Sequence, residues 1–167
     1  MTATKLMKKS SIVWGLVLIL LVIFGGEAPA QMKAYGSPIN LEIAKKAAAS
    51  AITEARKNNW SMAVAITDTA GDLVYFEKID GTMTASVKVA MSKARSAALF
   101  KRPTKVWQDL VAGGNLFILG LEGAVTLDGG LPLVVDDKIV GAIGVSGGTT
   151  AQDGQVATAG AQGLAAK

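Results

Sequence analysis

Residues 129–148, GGLPLVVDDKIVGAIGVSGG, constrain the fold of this chain more than any other stretch. Two apolar runs rich in Val, Ile and Leu flank a short polar turn, the signature of a β-hairpin. Asp136-Asp137-Lys138 supplies the reversal, with Asp137 best suited to a left-handed conformation. The hairpin ends in Gly144, Ser146, Gly147 and Gly148, small residues whose amides are left unscreened. Turn geometry alone explains such glycines; a backbone ledge receiving a ligand, between Gly130-Leu131-Pro132 and residues 144–148, is the functional alternative.

The first thirty residues are of a different kind. Lys5, Lys8 and Lys9 precede an uncharged apolar run at residues 12–24, and Ala28-Pro29-Ala30 offers the small residues a signal peptidase reads. Residues 1–30 are therefore expected to be a signal peptide and the protein to be exported, periplasmic or secreted. The run is short for a bilayer crossing, so no stable membrane insertion of the mature chain is expected; retention of the uncleaved segment as an N-terminal anchor is the alternative. Residues 31–40, with Gly36 and Pro38 as breakers, are expected to form a flexible leader, and residues 41–167 a single domain.

Charge and composition exclude several classes. Without Lys5, Lys8, Lys9 and Glu27 the 17 basic and 13 acidic residues become 14 and 12, a charge of +2 with dispersed lysines, which argues against nucleic acid. Cysteine and histidine are both absent. That removes disulfides, thiolate and imidazole zinc sites, and Ser-His or Cys-His catalysis.

Pattern supplies the remaining elements. Asn40 is a helix N-cap, Leu41, Ala44, Ala48, Ala51, Ile52 and Ala55 share one helical face, and Asn58-Asn59 ends the helix. Residues 62–67 and 73–79 form an antiparallel hairpin around Asp68-Thr69-Ala70-Gly71-Asp72, with Tyr75 and Phe76 on opposite faces. Residues 84–100 form a helix with an alanine-rich apolar stripe of Val87, Met91, Ala94, Ala97 or Ala98, and Phe100, expected to pack on the sheet, and its outer side carries Lys88, Ser92 and Arg95. Pro103 ends it, and Thr104 caps a shorter helix in which Trp107 covers either the core edge or an intersubunit surface. The state of residues 116–121 is not determined by pattern. Residues 124–127 are expected to be a strand, and Thr149-x-x-Gln152 and Thr150-x-x-Asp153 are competing capping boxes for a last helix reaching Ala165. Gly154, Gly160 and Gly163 in that helix suggest close packing against another helix or subunit. The order implies an α+β fold with an antiparallel sheet of about five strands.

Several of these segments together resemble the GlcG/HbpS-like family, which includes haem-binding proteins and the C-terminal domain of PduO proteins. The resemblance rests on Gly141-Ala142-Ile143-Gly144-Val145-Ser146-Gly147-Gly148 with its preceding Gly-Gly-x-Pro, on residues 65–74 and 78–82, and on residues 90–104, and it spans about residues 41–165. It implies a profilin-like or PAS-like fold, homo-oligomers, and a small-molecule ligand, haem first and a corrinoid second. Lys93, in the Lys-Ala pair that the family motif keeps, is expected to be a ligand-facing cation, joined by Arg95 or Arg102 at the propionates and by Gly130, Pro132, Gly144, Ser146, Gly147 and Gly148 as the ledge. Asp72 stands where the family often carries histidine, so no imidazole role transfers. Axial candidates are then thioethers and phenols such as Met62, Met83, Met91, Tyr35 and Tyr75. A scavenging, storage or sensing role follows. Two alternatives stay open: an accessory protein or enzyme acting on an anionic metabolite, with Lys93 as base or clamp and Asp80 and Asp153 as acid or base, and an oligomeric scaffold.

Overall fold

The computed structural model describes residues 32–165, so the expected signal peptide lies outside the described residues. Its elements are α1 (Leu41–Lys57), β1 (Ala63–Thr67), β2 (Leu73–Lys78), α2 (Ser86–Phe100), α3 (Lys105–Ala112), a 3-10 helix (Leu116–Gly120), β3 (Gly130–Val135), β4 (Lys138–Ser146) and α4 (Thr150–Ala165). The strands form one antiparallel sheet in the order β2-β1-β4-β3. The class is α+β, as expected, but with four strands.

Residues 124–127 do not make a fifth. Val125 N donates to Ser96 Oγ at 3.1 Å, and the next segment's Asp128 N donates to Gln108 Oε1 at 2.9 Å. Side chains of α2 and α3, rather than a neighbouring strand, take those amides.

The alternation in β1 decides which helix lies on which face. Val64 and Ile66 point into the main core with Ile143, Val145, the alanines of α1, and Val156 and Ala157 of α4. Ala63 and Ala65 point the other way, against Ala90, Ala94 and Phe76. Large aliphatics on one face hold α1 and α4 at ordinary side-chain distance, whereas small residues on the other let α2 descend nearly onto the strands. Tyr75 and Phe76 divide accordingly, the first against the main core and the second toward α2.

Local signals behave as their chemistry demands. Asn40 Oδ1 accepts Ile43 N at 2.9 Å, and Asn59 (φ 58°) turns left-handed to end α1. Asn40→Ala is expected to lower stability by about 1 kcal/mol, a loss visible as a lower urea midpoint with unchanged slope. Asp136 (φ 47°) and Asp137 (φ 61°) are both left-handed at the β3–β4 reversal. Of the two capping boxes, the first forms: Thr149 Oγ1 accepts Gln152 N at 3.3 Å while Gln152 Oε1 accepts Thr149 N at 2.9 Å. Gly160 and Gly163 are where α4 meets α1, since a Cβ at either would strike Ile143 and Ala47 or Ser50.

The expected flexible leader is instead docked. Gly36 N and Ile39 N donate to Ile139 O and Val140 O, Ile139 N donates to Ala34 O, each near 2.8–2.9 Å, and Ile39 is buried. The leader fills the place beside β4 that β1 leaves free, because β1 pairs with β4 only over residues 142–146.

Candidate functional site

α2 carries Lys93 on the same face as Ala90, three residues before it, and Ala97, four residues after it. Its side chain is therefore driven between α2 and the sheet, where it is only 1% exposed. The ammonium donates to Val145 O at 3.0 Å and to Asp153 Oδ2 at 2.7 Å. Asp153, in the first turn of α4 and 3% exposed, also accepts Gly148 N on Oδ1 at 3.0 Å. Burial pushes the Asp153 carboxyl above its ordinary range, against the Lys93 ammonium and the amides of Gly148 and Gly147, which pull it down. The pair ties α2 to the start of α4 and holds the turn after β4. Gly129 completes the enclosure: a Cβ there would lie 2.7 Å from Val145 O and 3.0 Å from Lys93 Nζ.

This geometry corrects the expected site. Lys93 is enclosed rather than turned to an open ligand site: its ammonium donates to Val145 O and Asp153 Oδ2 in the interior. The ledge is closed by the chain itself, because a Cβ on Gly130 would meet Lys93 O and Thr104 Cγ2 at 2.5 Å and one on Gly144 would run into Ala90 O and Ala94 N. Gly147 is crowded by Ser61 and Met62, Gly148 by Gln152 and Met62, and Ser146 is buried. Pro132 sits half-buried in β3 opposite Ala142. Thus Lys93, Gly130, Gly144, Ser146, Gly147 and Gly148 lie in one region that the chain itself fills: α2 sits on Gly130 and Gly144, while Ser61, Met62 and Gln152 cover Gly147 and Gly148. Arg95 leaves the group altogether, extending to Gly71 O at 3.4 Å and to Asp72 at 3.6 Å. Asp80 is exposed on the turn after β2, away from the enclosed Lys93–Asp153 pair, so the acid-base set is not assembled.

The open chemistry lies on the outer face of α2. Lys88, Met91 and Arg95 recur at i, i+3 and i+7, all exposed; Met91, expected on the core-facing stripe, is instead 37% exposed, because Ala90, Lys93, Ala94 and Ala97 take the side that packs on the sheet. Helical rise spaces the two cations about 4.5 and 6 Å along the axis on either side of the thioether. Among the axial candidates, Met62 is buried, Tyr35 donates its hydroxyl to Ala98 O at 2.8 Å, and Tyr75 donates to Glu77 Oε2 at 3.1 Å. Met32 accepts from Arg102 at 3.3 Å, Met83 stands in the loop before α2, and only Met91 lies between two cations on one helical face. The donor set of α2 therefore fits a haem: a soft ligand flanked by anchors for carboxylates. A cavity of about 400 Å³ lies elsewhere, between the leader, the start of α1 and the β3–β4 turn. Its lining contains neither methionine nor tyrosine. Among the described residues no group of three or more acidic side chains is placed to hold a metal ion, and no helix is long and apolar enough to cross a membrane.

The buried ion pair escaped notice although the sequence carries its signal: Lys93 falls within the alanine stripe, and the Thr149-Gln152 box turns Asp153 back toward β4.

A four-stranded antiparallel sheet with α2 seated on glycine and alanine, and α1 and α4 on the opposite face, defines an α+β class of small single-sheet proteins. The family described as "Haem degrading protein HbpS-like" matches residues 39–162, and the chain belongs to that HbpS-like family. Protein GlcG of Escherichia coli K12 is 39% identical over 93 residues, 56% of this chain and 69% of GlcG. The crystal structure of HbpS superposes with a TM-score of 0.70 at 30% identity, covering 83% of this chain and 94% of HbpS. Klebsiella pneumoniae protein ORFY gives a TM-score of 0.72 at 25% identity, over 84% of this chain and 99% of ORFY.

Proposed function

We propose that this protein is an exported haem-binding member of the HbpS-like family that holds haem on the outer face of α2. The observation that carries the reading is Met91 placed between Lys88 and Arg95 on one exposed helical stripe. In this reading Met91 offers its thioether to the iron, and Lys88 and Arg95 pair with the propionates. Arg95 is held toward Asp72 by a contact of 3.6 Å between exposed groups, so little is lost when it turns to a carboxylate. An open site with a thioether ligand exchanges its guest readily, which suits scavenging, storage or sensing. The family's description supports haem, and no feature of the stripe favours a corrinoid. An enzyme of anionic metabolites would need Lys93 accessible, and its enclosure with Asp153 removes that support.

Hemin titration of the purified protein is expected to give a shifted Soret band that saturates at one equivalent. Met91→Ala and the Lys88→Ala/Arg95→Ala pair should each weaken binding about tenfold or more. Unsaturable absorbance, or affinities untouched by both changes, would remove the reading. Export is supported by Lys5, Lys8 and Lys9 ahead of the apolar run at residues 12–24, and predicts a mature N-terminus at Gln31 in the exported fraction.

A further inference from the structure

The β3–β4 turn brings two opposite charges to the rim of the cavity of about 400 Å³ that it shares with the leader and the start of α1. That size is at the lower end for pockets that enclose a small molecule. The docked leader builds one wall with Pro38 and Ile39, the latter buried because its amide is tied to Val140 O at 2.8 Å. Ile43 of α1 and Val135 and Val140 of the hairpin complete an apolar lining. Gly36 lets the stem of Lys138 lie along the leader, since a Cβ there would stand 3.0 Å from Lys138 Cβ and 3.5 Å from its Cδ. The rim is polar and uncommitted. Asp137 is taken by Lys33, but the side chains of Asp136 and Lys138 make no hydrogen bond or ion pair among the described residues, with each other or with any other group. Ser37 likewise keeps a free hydroxyl, and Asn40, whose Oδ1 accepts Ile43 N, keeps its amide hydrogens.

We propose that this cavity binds a free α-amino acid with an aliphatic side chain: its carboxylate at Lys138, its ammonium at Asp136, and its side chain among Ile39, Ile43 and Val140. Charge complementarity selects this guest. A plain anion would meet Asp136, a plain cation would meet Lys138, and an uncharged apolar molecule would desolvate both without a partner for either. A guest that carries both signs on one carbon satisfies both. In a peptide the two charges belong to opposite ends of the chain, so the free amino acid is preferred over its polymers. The haem reading uses the outer face of α2, so the two inferences stand or fall separately.

Equilibrium dialysis of the full chain against isotopically labelled L-leucine is expected to saturate at one equivalent. Asp136→Asn keeps a residue that tolerates the left-handed φ of 47° at this position, and Lys138→Gln keeps most of the apolar stem. Each should weaken binding by about tenfold or more. Ser37→Trp, made at an exposed position, should abolish binding by filling the mouth. N-acetyl-L-leucine, which lacks the ammonium, and L-leucinamide, which lacks the carboxylate, should each compete about tenfold or more less well than L-leucine. Thermal melts check that the variants fold. Absence of saturable binding for L-leucine, L-isoleucine and L-valine, equal competition by the blocked analogues, or an affinity untouched by both charge variants overturns the proposal. So does tighter binding of leucyl-leucine than of leucine, which would identify a peptide site instead.

Discussion

Lys93→Met is expected to destabilise the protein by about 3–5 kcal/mol at neutral pH, because it leaves the Asp153 carboxylate enclosed without a counter-charge. Asp153→Asn should cost a similar amount by stranding the ammonium. The double variant Lys93→Met/Asp153→Asn is expected to recover most of the loss: no net charge remains inside, and the asparagine oxygen still accepts Gly148 N, which the aspartate accepts at 3.0 Å. The coupling measured in such a cycle is large because the two side chains are only 1% and 3% exposed and 2.7 Å apart. Additive single costs in urea titrations would contradict it.

The pH dependence has a definite sign. Burial raises the folded-state titration of Asp153, so the folded chain holds that proton more tightly than the unfolded chain. The resulting stability is present in full below the ordinary aspartate range and is lost as pH rises through the raised value. Removing Lys93 takes away a group that pulls the carboxyl down, so this window moves upward. Lys93→Met should therefore regain stability as pH falls from neutral toward the ordinary aspartate range, and the Asp153→Asn variant should not. Parallel pH profiles for the two variants would show that the pair is not the source.

The second large effect concerns Gly144. A Cβ there would drive into Ala90 O and Ala94 N and lie 2.9 Å from Ala94 Cβ, so two backbones must separate and no flexible side chain can yield. Gly144→Ala is expected to cost about 3 kcal/mol or more, the upper end for overpacking by a single methyl group. Gly120→Ala is the matched control, since nothing lies within 4 Å of its added Cβ; its expected change is within about 0.5 kcal/mol. Equal melting temperatures for the two variants would mean that α2 does not sit on β4 in this way. Because the proposed haem stripe of Lys88, Met91 and Arg95 is on the far side of α2, a partial displacement of the helix in Gly144→Ala should leave hemin binding closer to normal than stability.

Short-range chemistry was legible along the chain. The Asn40 cap, the left-handed Asp137 of the β3–β4 turn, Gly71 in the β1–β2 loop and the Thr149-Gln152 box are all decided by residues within a few positions of one another, whereas the left-handed Asp136 beside Asp137 was not expected. The opposite facing of Tyr75 and Phe76 follows from the two-residue period of a strand. Expectations failed where a partner lay far off in sequence. Residues 124–127 look like a strand until the side chains of Ser96 and Gln108 claim nearby amides, and the leader looks free until β4 offers it unpaired groups.

The small residues at 144–148 mark, in the sequence, a place where bare backbone comes close to something. Sequence alone thus determined the kind of contact and the α+β arrangement of elements, since both follow from residue size and local period. Tertiary structure decided that the approaching bodies are the protein's own segments, α2 at Gly144 and Ser61, Met62 and Gln152 at Gly147 and Gly148, that Lys93 is sealed against Asp153, and that Lys88, Met91 and Arg95 are left in solvent. Which of two close-packing partners occupies a glycine seat depends on distances between segments more than forty residues apart, and no local propensity encodes those distances.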